Sequence, residues 1–311
     1  MGKYSAVKIR KDANSLIVFD LISERPYSGE ELASRVGLTR KAVWKMIKKF
    51  REYGIVVEAD KRSGYRIVRK PKLNPFDVAA IAFKNLRELV DEVWYYKMVD
   101  STNDAAKRHR KPSILFFAEV QTSGRGRLGR TWSSGPGGLY FTITLQPKIG
   151  LEEVPKITLL TGLSVAKAVN GKIKWPNDVL IENKKVCGIL CEVQGEMERP
   201  LVIIGVGINV ENELPRDLEG AGRLVDFSNY DVISVFNSVL KNFYEHYLKF
   251  ERGEWEHLRK EIIELCSTIG KNVRIQLPSG KIEGFATDIS KEGALVVDGK
   301  KIFAGDCIHL R

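Results

Sequence analysis

A helix-turn-helix pattern near the N-terminus is the feature that most constrains how this chain can fold. Ser28 stands before an apolar-periodic segment and Glu31 follows three residues later, which is the pattern of a helix capping box. Gly37 suits the end of that helix, and Thr39 suits the N-cap of another helix that ends at Gly54. Two helices joined by a short turn that contains glycine predict a helix-turn-helix unit.

The flanking segments extend this unit into a winged helix. Residues 13–24 have apolar side chains at helical spacing, which predicts a further helix before the pair. After Gly54, the alternating stretches 55–60 and 63–68 predict a β-hairpin, which is the wing. We therefore expect a winged helix-turn-helix domain over residues 1–70.

Positive charge is concentrated in this N-terminal domain. Residues 1–70 contain 17 Lys and Arg against 8 Asp and Glu, whereas residues 71–311 contain 33 against 31. A basic helix beside a wing can enter the major groove of DNA and contact phosphates. The alternative is a winged helix that binds another protein. The predicted DNA-binding residues are Thr39, Arg40, Lys41, Lys45, Lys48, Lys61 and Arg62.

The rest of the chain divides into two further domains. Pro71 and Pro75 mark a linker over residues 71–75. In residues 76–267 several strand-like segments follow one another without an intervening helix, so we expect an α+β domain with a mixed sheet. Residues 268–311 contain four short strand-like pieces, which predict a small β-barrel. The fold class is therefore α+β, in several domains.

A loop rich in glycine and arginine is the most distinctive segment of the central domain. The run T-S-G-R-G-R-L-G-R-T-W over 122–132 precedes a strand-like segment at 139–145. Glycine lets the backbone approach a ligand closely, and arginine supplies a fixed positive charge. The run lacks the Lys-Ser/Thr ending of a P-loop and the G-x-G-x-x-G of a dinucleotide-binding turn. We expect a loop that wraps an anionic substrate.

Four short motifs accompany this loop in the same domain. Each is weak alone, because an ordinary turn or a solvated strand end would explain it. They are S-T-N at 101–103, K-W-P-N-D at 174–178, K-V-C-G-I-L at 185–190 and G-V-G-I-N at 205–209. Together with G-R-G-R-L-G-R and in this order, they resemble the signature of the biotin–protein ligases. The winged helix in front and the barrel behind make the chain similar to the bifunctional type, which also represses the biotin operon.

The resemblance implies both a fold and a reaction. The central domain is expected to be class II synthetase-like, and the C-terminal domain is expected to be an SH3-like barrel. First, the carboxylate of biotin attacks the α-phosphate of Mg-ATP, giving biotinyl-adenylate and pyrophosphate. A lysine of a biotin carboxyl carrier protein then attacks the adenylate, giving an amide and AMP. Fixed cations reduce the repulsion between the two anions.

The resemblance also assigns roles to the residues at the matching positions. The catalytic residues are Arg125, Arg127, Lys185 and Asp178. The biotin-binding residues are Ser101, Thr102, Asn103, Gln121, Arg125, Gly126, Arg127, Lys185 and Gly188. The nucleotide-binding residues are Arg127, Arg130, Trp132, Asn177, Lys185 and Asn209. Asp178 would either orient Mg²⁺ or receive the proton of the incoming lysine.

The partners expected from the resemblance are the carrier protein, DNA through the N-terminal domain, and a second copy in a homodimer. The family can carry a further arginine at position 128, where this chain has Leu128. The longest apolar runs are far shorter than the ~18 residues of a membrane span, so we expect no membrane partner and a cytoplasmic location.

Three other functions remain possible from the sequence. A lipoate–protein ligase has similar chemistry and a similar fold, although K-W-P-N-D beside this loop is not expected in it. A transcription factor that keeps the central domain only as a ligand sensor is disfavoured, because Arg127 and Lys185 are both present. A biotin ligase whose winged helix has no operator role is the third.

Overall fold

The described N-terminal residues form the predicted winged helix. The computed structural model describes residues 5–60, 62–195, 200–216, 218–277 and 280–310. In chain order its N-terminal elements are β1 (Ala6–Arg10), α1 (Asn14–Glu24), α2 (Gly29–Val36), α3 (Arg40–Glu52), β2 (Val56–Asp60) and β3 (Gly64–Arg69). Helices α1 to α3 and the antiparallel hairpin of β2 and β3 confirm the prediction.

Local hydrogen bonds explain where these helices begin and end. The Glu31 amide donates to Ser28 Oγ (3.1 Å) and the Ser28 amide donates to Glu31 Oε2 (2.8 Å), which completes the capping box. Gly37 ends α2 with a φ of 63°, a left-handed conformation that glycine adopts without strain. Thr39 Oγ1 accepts a hydrogen bond from the Ala42 amide (3.2 Å) at the start of α3.

The central domain is built on one eight-stranded mixed sheet. Its further strands are β4 (Glu92–Val99), β5 (Ile114–Gln121), β6 (Leu139–Leu145), β7 (Lys172–Lys174), β8 (Asp178–Ile181), β9 (Lys184–Gln194) and β10 (Leu201–Ile208). The strand order is β1-β4-β5-β6-β10-β9-β8-β7, in which only β4 and β5 are parallel neighbours. The expected mixed α+β sheet is confirmed.

Helices pack on both faces of this sheet. They are α4 (Pro75–Leu86), α5 (Thr102–His109), α6 (Val154–Val169), α7 (Val232–Glu251) and α8 (Trp255–Leu265). Apolar residues of α4, α6, α7 and α8 share one large core with residues of β4, β5, β6, β9 and β10. Helix α5 packs on the other face, where Ala105 and Ala106 are buried with Phe116 and Ile203. The start of α5 therefore lies at the end of β4, which is where the functional site forms.

Strand β1 corrects the assignment of the first residues to the winged helix. Residues 6–10 were predicted within the N-terminal domain, but they pair antiparallel with β4, from Ala6 opposite Tyr96 to Arg10 opposite Glu92. Val7 and Ile9 are buried while Lys8 between them forms an ion pair with Glu92 (2.7 Å). This alternation is typical of an edge strand with one buried face, and it explains why the segment joins the sheet.

A cluster of aromatic rings joins the winged helix to the central domain. Phe76, in the first turn of α4, stacks on Phe19 of α1 (5.3 Å between ring centroids) and meets the edge of Phe50 of α3 (4.6 Å). Asn74 Oδ1 caps α4 by accepting from the amides of Phe76 and Asp77. The start of the central domain is therefore part of the winged-helix core.

The sequence analysis did not predict two short strands of the central sheet. Strands β7 and β8 flank the turn that contains W-P-N, so K-W-P-N-D is the connection of a small hairpin. Because β8 pairs with the first residues of β9, this hairpin brings Asp178 next to Lys185.

The C-terminal residues form a separate antiparallel sheet. Its strands are β11 (Asn272–Leu277), β12 (Gly280–Ile289), β13 (Leu295–Val297), β14 (Lys300–Ile302) and β15 (Asp306–His309), in the order β14-β13-β12-β11-β15. Four strand-like pieces were predicted, and the last of them is divided into β14 and β15 at residues 303–305. Gly305 has a φ of 133°, and a Cβ there would lie 2.5 Å from Ile275 Cγ2, so this bend needs a glycine.

Candidate active site

One cleft collects almost all of the predicted site residues of the central domain. It lies beside the ends of β4 and β5, under the loop of residues 122–132, and over the faces of β9 and β10. Among the predicted residues, it is lined by Ser101, Thr102, Asn103, Gln121, Arg125, Gly126, Arg127, Arg130, Trp132, Asn177, Asp178, Lys185 and Gly188. Only Asn209 is outside it.

Neutral hydrogen-bonding groups occupy one end of the cleft. Ser101 caps α5, which places Thr102 at the start of the helix, facing the end of β5. Gln121 Oε1 accepts from the Thr102 amide (2.8 Å) and from Thr102 Oγ1 (3.1 Å), and Gln121 Nε2 donates to Ser134 Oγ (2.9 Å). Thr142 Oγ1 donates to Asn103 Oδ1 (2.6 Å). This end can recognise a polar but uncharged group.

Asn103 is held inside the protein by its own hydrogen bonds. Its Nδ2 donates to the Leu190 carbonyl (3.2 Å) and to Glu192 Oε2 (2.9 Å). Gly205 makes room for it, because a Cβ at that position would lie 2.1 Å from Asn103 Oδ1. Asn103 therefore orients the wall of the cleft, and direct contact with biotin stays a prediction.

The indole of Trp132 lies across two glycines that face each other on β9 and β10. Gly188 and Gly207 are cross-strand partners, and a Cβ at either would come within 2.8 Å of the Trp132 ring. The ammonium of Lys185 lies 5.4 Å from the ring centroid. Trp132 Nε1 is buried and has no hydrogen-bond partner within the described ranges. A buried donor of this kind is available to an acceptor on a ligand.

The arginines of the glycine-rich loop are paired with acidic or polar groups. Arg125 forms an ion pair with Asp104 (2.7 Å) and Arg130 forms one with Asp306 of the C-terminal sheet. Arg127 donates to Asn177 Oδ1 (3.1 Å) and to the Gly305 carbonyl (3.3 Å). These contacts fold the loop over the cleft and join it to the C-terminal domain.

Lys185 and Asp178 form the charged centre of the cleft. The Lys185 ammonium lies 2.6 Å from Asp178 Oδ1, across the β8–β9 pair. Asn177, next to it, donates to the Ile189 carbonyl (2.9 Å) and accepts from Arg127, so the turn before β8 is fixed on both sides.

Net positive charge distinguishes this end of the cleft from the neutral end. Four cationic side chains and two carboxylates line the cleft as a whole, and all of them except Arg125, which pairs with Asp104 of α5, are assigned to this end: Arg125, Arg127, Arg130, Lys185, Asp178 and Asp306. Burial lowers the pKa of the Arg127 guanidinium, while Asp306 and Asp178 oppose that shift. An arginine keeps its proton in proteins, so a partly desolvated positive charge faces the cleft.

A second, wider cavity adjoins this end. It encloses about 1190 Å³ and shares Arg130, Trp132, Asp178 and Lys185 with the first cleft. Asn209 lines it, and Asn209 Nδ2 donates to the Gly222 carbonyl (3.3 Å). The structure therefore places Asn209 near the other site residues, but in the neighbouring cavity.

Several residues around both cavities were missed in the sequence analysis. Lys174, Lys271 and His309 line the second cavity. Burial, with Lys271 and Lys174 nearby, lowers the pKa of His309 to about 4, so its imidazole is neutral at pH 7. Lys174 begins a motif that was recognised, whereas Lys271 and His309 lie in another domain, where no local pattern marks them.

The predicted DNA-binding residues lie on one exposed surface of the winged helix. Arg40, Lys41, Lys45 and Lys48 are exposed on α3, and Arg62 is exposed on the wing. Thr39 caps α3 and is also exposed. Lys61 lies outside the described residues. Val43, Ile47 and Phe50 are fully buried on the opposite side of α3.

The described residues also bear on two further features, a metal cluster and a membrane-spanning helix. Across the described ranges, no three His, Cys, Asp or Glu side chains converge as a metal site would require. Over the same ranges, every helix is too short or too polar to span a lipid bilayer.

Comparisons with known proteins define the class of the chain. Residues 95–209 match the Biotin/lipoate A/B protein ligase family, residues 14–66 match an HTH domain, and residues 268–310 match the Biotin protein ligase C terminal domain. A three-domain chain with a ligase centre and a helix-turn-helix N-terminus is the class that the fold and the cleft also define.

Individual relatives agree with this class. The bifunctional ligase/repressor BirA of Bacillus subtilis is 32% identical over 96% of this chain and 98% of its own length. BirA of Escherichia coli is 26% identical over 88% of each chain. The biotin protein ligase of Aquifex aeolicus, solved with biotin and ATP, is 33% identical, with a TM-score of 0.62 over 70% of this chain and 98% of its own. The chain belongs to the family of bifunctional biotin–protein ligase/repressors.

Proposed function

We propose that this protein attaches biotin to a lysine of a biotin carboxyl carrier protein, and that it represses biotin genes by binding DNA. One observation carries the ligase function: the cleft has a neutral hydrogen-bonding end, at Thr102 and Gln121, and a cationic end, at Arg127 and Lys185. Biotin has the same polarity, with an uncharged ureido ring at one end and a carboxylate at the other. The relatives named as biotin ligases support this reading.

The first step joins biotin to AMP. An oxygen of the biotin carboxylate attacks the α-phosphorus, the bond to the β-phosphate breaks, and pyrophosphate leaves. Arg127 and Lys185 offset the repulsion between carboxylate and phosphate and the charge that develops in the transition state. Because Lys185 is already held by Asp178 (2.6 Å), its ammonium is oriented before the substrates arrive.

The nucleotide fits the second cavity, beside the cationic end. Arg130, Lys174 and Lys271 line that cavity and suit phosphate oxygens, and Asn209, which also lines it, is the residue that we assign to the adenine edge. The free Nε1–H of Trp132 offers a donor between the two cavities. Mg²⁺ would enter with the ATP phosphates, where it would neutralise part of their charge, and Asp178 is the residue that we assign to hold it.

The second step transfers biotin to the carrier. The lysine amine attacks the carbonyl carbon of the mixed anhydride, an amide forms, and AMP leaves with the bond electrons. The amine must lose a proton, and we assign its acceptance to the carboxylate of Asp178, which lines the cleft beside Lys185. If Asp178 serves Mg²⁺ instead, its substitution will impair adenylate formation as strongly as transfer.

The decisive experiment is incubation of the protein with biotin, Mg-ATP and a carrier domain, followed by mass measurement of the carrier. Biotin on a single carrier lysine is the expected result. Lipoate in place of biotin is the comparison, since the matching ligase family includes lipoate enzymes. Carrier modified by lipoate and not by biotin would contradict the proposal.

We also propose a homodimer formed through β9. Strand β8 pairs with β9 only up to Gly188, so among the described residues the outer edge of 189–194 has no strand beside it. An open edge of this kind can pair with a second copy. We expect biotinyl-adenylate to strengthen the dimer by ordering the loop that includes Leu128. Sedimentation with and without adenylate, beside a DNA titration, tests this; an equally strong dimer without ligand would contradict it.

Further assignments follow from the same proposal. The central domain is class II synthetase-like and the C-terminal antiparallel sheet is an SH3-like barrel. The domains comprise 1–70, 76–267 and 268–311, joined by a linker at 71–75, except that residues 6–10 belong to the central sheet. A cytoplasmic location is consistent with substrates and DNA that must meet the same molecule.

A further inference from the structure

The recognition helix α3 carries one large apolar side chain on its exposed surface. Trp44 is 51% exposed, whereas Val43, Ile47 and Phe50 of the same helix are fully buried. The indole therefore points away from the winged-helix core. The predicted DNA-binding set contains only polar and charged residues, and it does not include Trp44.

Cationic side chains surround this indole on the helix surface. Arg40 and Lys48 lie one turn before and after Trp44, and Lys41 and Lys45 are the neighbouring exposed positions. The Lys48 ammonium lies 6.0 Å from the centroid of the Trp44 ring. Over residues 40–52 the helix has six basic residues and one acidic residue. An apolar protein surface is a poor match for an aromatic ring enclosed by positive charge, whereas a polyanion matches the whole surface.

We propose that Trp44 determines operator specificity by contacting thymine methyl groups in the major groove of DNA. This inference rests on the DNA-binding function proposed above. The lysines and arginines of α3 reach phosphates, which position the helix and carry no sequence information. The C5-methyl of thymine is the apolar group of the major groove, and apolar side chains read it by contact. Trp44 is the exposed aromatic residue of α3 that can make this contact.

The position of Trp44 in the helix supports this assignment. The N-terminal residues of a recognition helix approach the base edges most closely. Trp44 is the fifth residue of α3, on the same side as Arg40, whose Nε lies near the start of α2. Trp44 therefore lies in the part of the helix that meets base edges, with exposed basic side chains one turn before and one turn after it.

The test compares three full-length variants, each loaded with biotin and Mg-ATP. Preferred sites are first selected from a randomised DNA duplex pool with the unaltered protein. Trp44→Ala should still bind DNA with the same dependence on salt, but it should lose the preference for particular thymines. Lys48→Ala should weaken binding to all sequences and leave the preference intact. Trp44→Phe keeps an apolar ring and should retain part of the preference.

Replacement of thymine by deoxyuracil in the selected duplex isolates the methyl group. The unaltered protein should bind about fourfold more weakly for each contacted methyl that is removed. Trp44→Ala should show no further loss on the same replacement. Equal losses for both proteins, or an unchanged selected sequence for Trp44→Ala, would overturn the inference while DNA binding stands. If the unaltered protein selects no duplex, the DNA-binding function falls and the inference falls with it.

Carrier biotinylation checks that the central domain of each variant is intact, and an unchanged salt dependence of DNA binding checks that the winged helix of both Trp44 variants is folded. Trp44 is on the winged helix, far along the chain from the cleft residues, so every variant should biotinylate the carrier at the unaltered rate. A variant that biotinylates normally and has lost its thymine preference supports a role at the base edges.

Discussion

The two cationic regions of this molecule use the same residue types in opposite ways. On α3, the side chains of Arg40, Lys41 and Lys45 have no ion pair or hydrogen bond among the described residues, and they lie in solvent. In the glycine-rich loop, Arg125 and Arg130 are paired with carboxylates, and Arg127 is half-buried against Asn177. The helix presents free charge, whereas the loop presents charge that is already oriented.

The difference predicts how each region meets its ligand. Free surface charges attract a polyanion over about 10 Å at 0.1 M salt, and their effect weakens as salt rises. Oriented and partly buried charges are screened much less, and they act only on a ligand of the right geometry. Affinity for DNA should therefore depend steeply on salt, and adenylate formation should not.

The largest effect is expected at the paired lysine of the cleft. Lys185→Ala removes one oriented charge partner and should slow adenylate formation by roughly 100-fold, on the order of 3 kcal/mol in the transition state. Pyrophosphate release with biotin and ATP is the measurement. Lys184→Ala alters the exposed neighbour in the same strand and should change little. A near-normal rate for Lys185→Ala would remove this residue from the reaction.

A smaller effect is expected when free charges are removed from α3. The double variant Lys41→Ala, Lys45→Ala should lower DNA affinity at least about tenfold at 0.15 M salt. It should also reduce the slope of log K against log salt by about 2, because each phosphate contact contributes about 0.9. Fluorescence titration across a salt series gives both values. The control is Lys148→Ala, Lys241→Ala on the central domain, whose slope should equal that of the unaltered protein.

A several-fold effect is expected for the half-buried arginine of the loop. Arg127→Gly removes the contacts with Asn177 and the Gly305 carbonyl, so the loop should open more often and release the adenylate. Free adenylate would then modify lysines of bystander proteins, which mass spectrometry detects. Arg110→Gly, at an exposed helix end with a φ of 53°, is the control. Biotin confined to the carrier lysine at normal levels would count against the hypothesis.

The smallest effect is expected at the ion pair by which the loop contacts helix α5. In the ion pair between Arg125 and Asp104, the side chains are 46% and 25% exposed. Asp104→Asn should change the free energy of unfolding by less than about 1 kcal/mol, as for other solvent-exposed pairs. Urea denaturation measures it. A decrease in the free energy of unfolding several times larger than this would show that Arg125 is held as firmly as Arg127. The difference between the paired arginines of the loop and the free charges of α3 would then be greater than expected.

Local signals explain how much of this fold could be predicted from the sequence. The end of helix α2 was predicted at Gly37, and the structure has it there, because a glycine that adopts a left-handed conformation is a local signal. The capping box at Ser28 is equally local. Strand β1 was missed because its partner β4 lies beyond the whole winged helix, and no nearby residue reports that pairing.

The residues of the candidate site likewise fall into two groups, those that local motifs identified and those that only the structure revealed. Short motifs, each of a few consecutive residues, identified the cleft residues, including Arg127 and Lys185. Two groups that hold the loop arginines were found only in the structure. Asp306, which pairs with Arg130, and Gly305, whose carbonyl accepts from Arg127, lie far along the chain from the loop, in the C-terminal domain. Residues that contact each other across two domains are not separated by a characteristic number of residues, so no sequence motif marks them.

Strand β1 changes what it means to remove the DNA-binding part of this protein. The chain enters the central sheet at Ala6–Arg10, leaves it to form the winged helix, and returns at α4. The winged helix is thus an insertion with two anchor points, and the packing of Phe76 on Phe19 and Phe50 fixes its orientation on the central domain. Cutting the chain at residue 70 would strip an edge strand from the enzyme, whereas excising residues 13–70 and bridging the gap would leave the sheet whole. In the proposed homodimer, the distance between the two copies of α3 would then be set by the way in which the two central sheets pair.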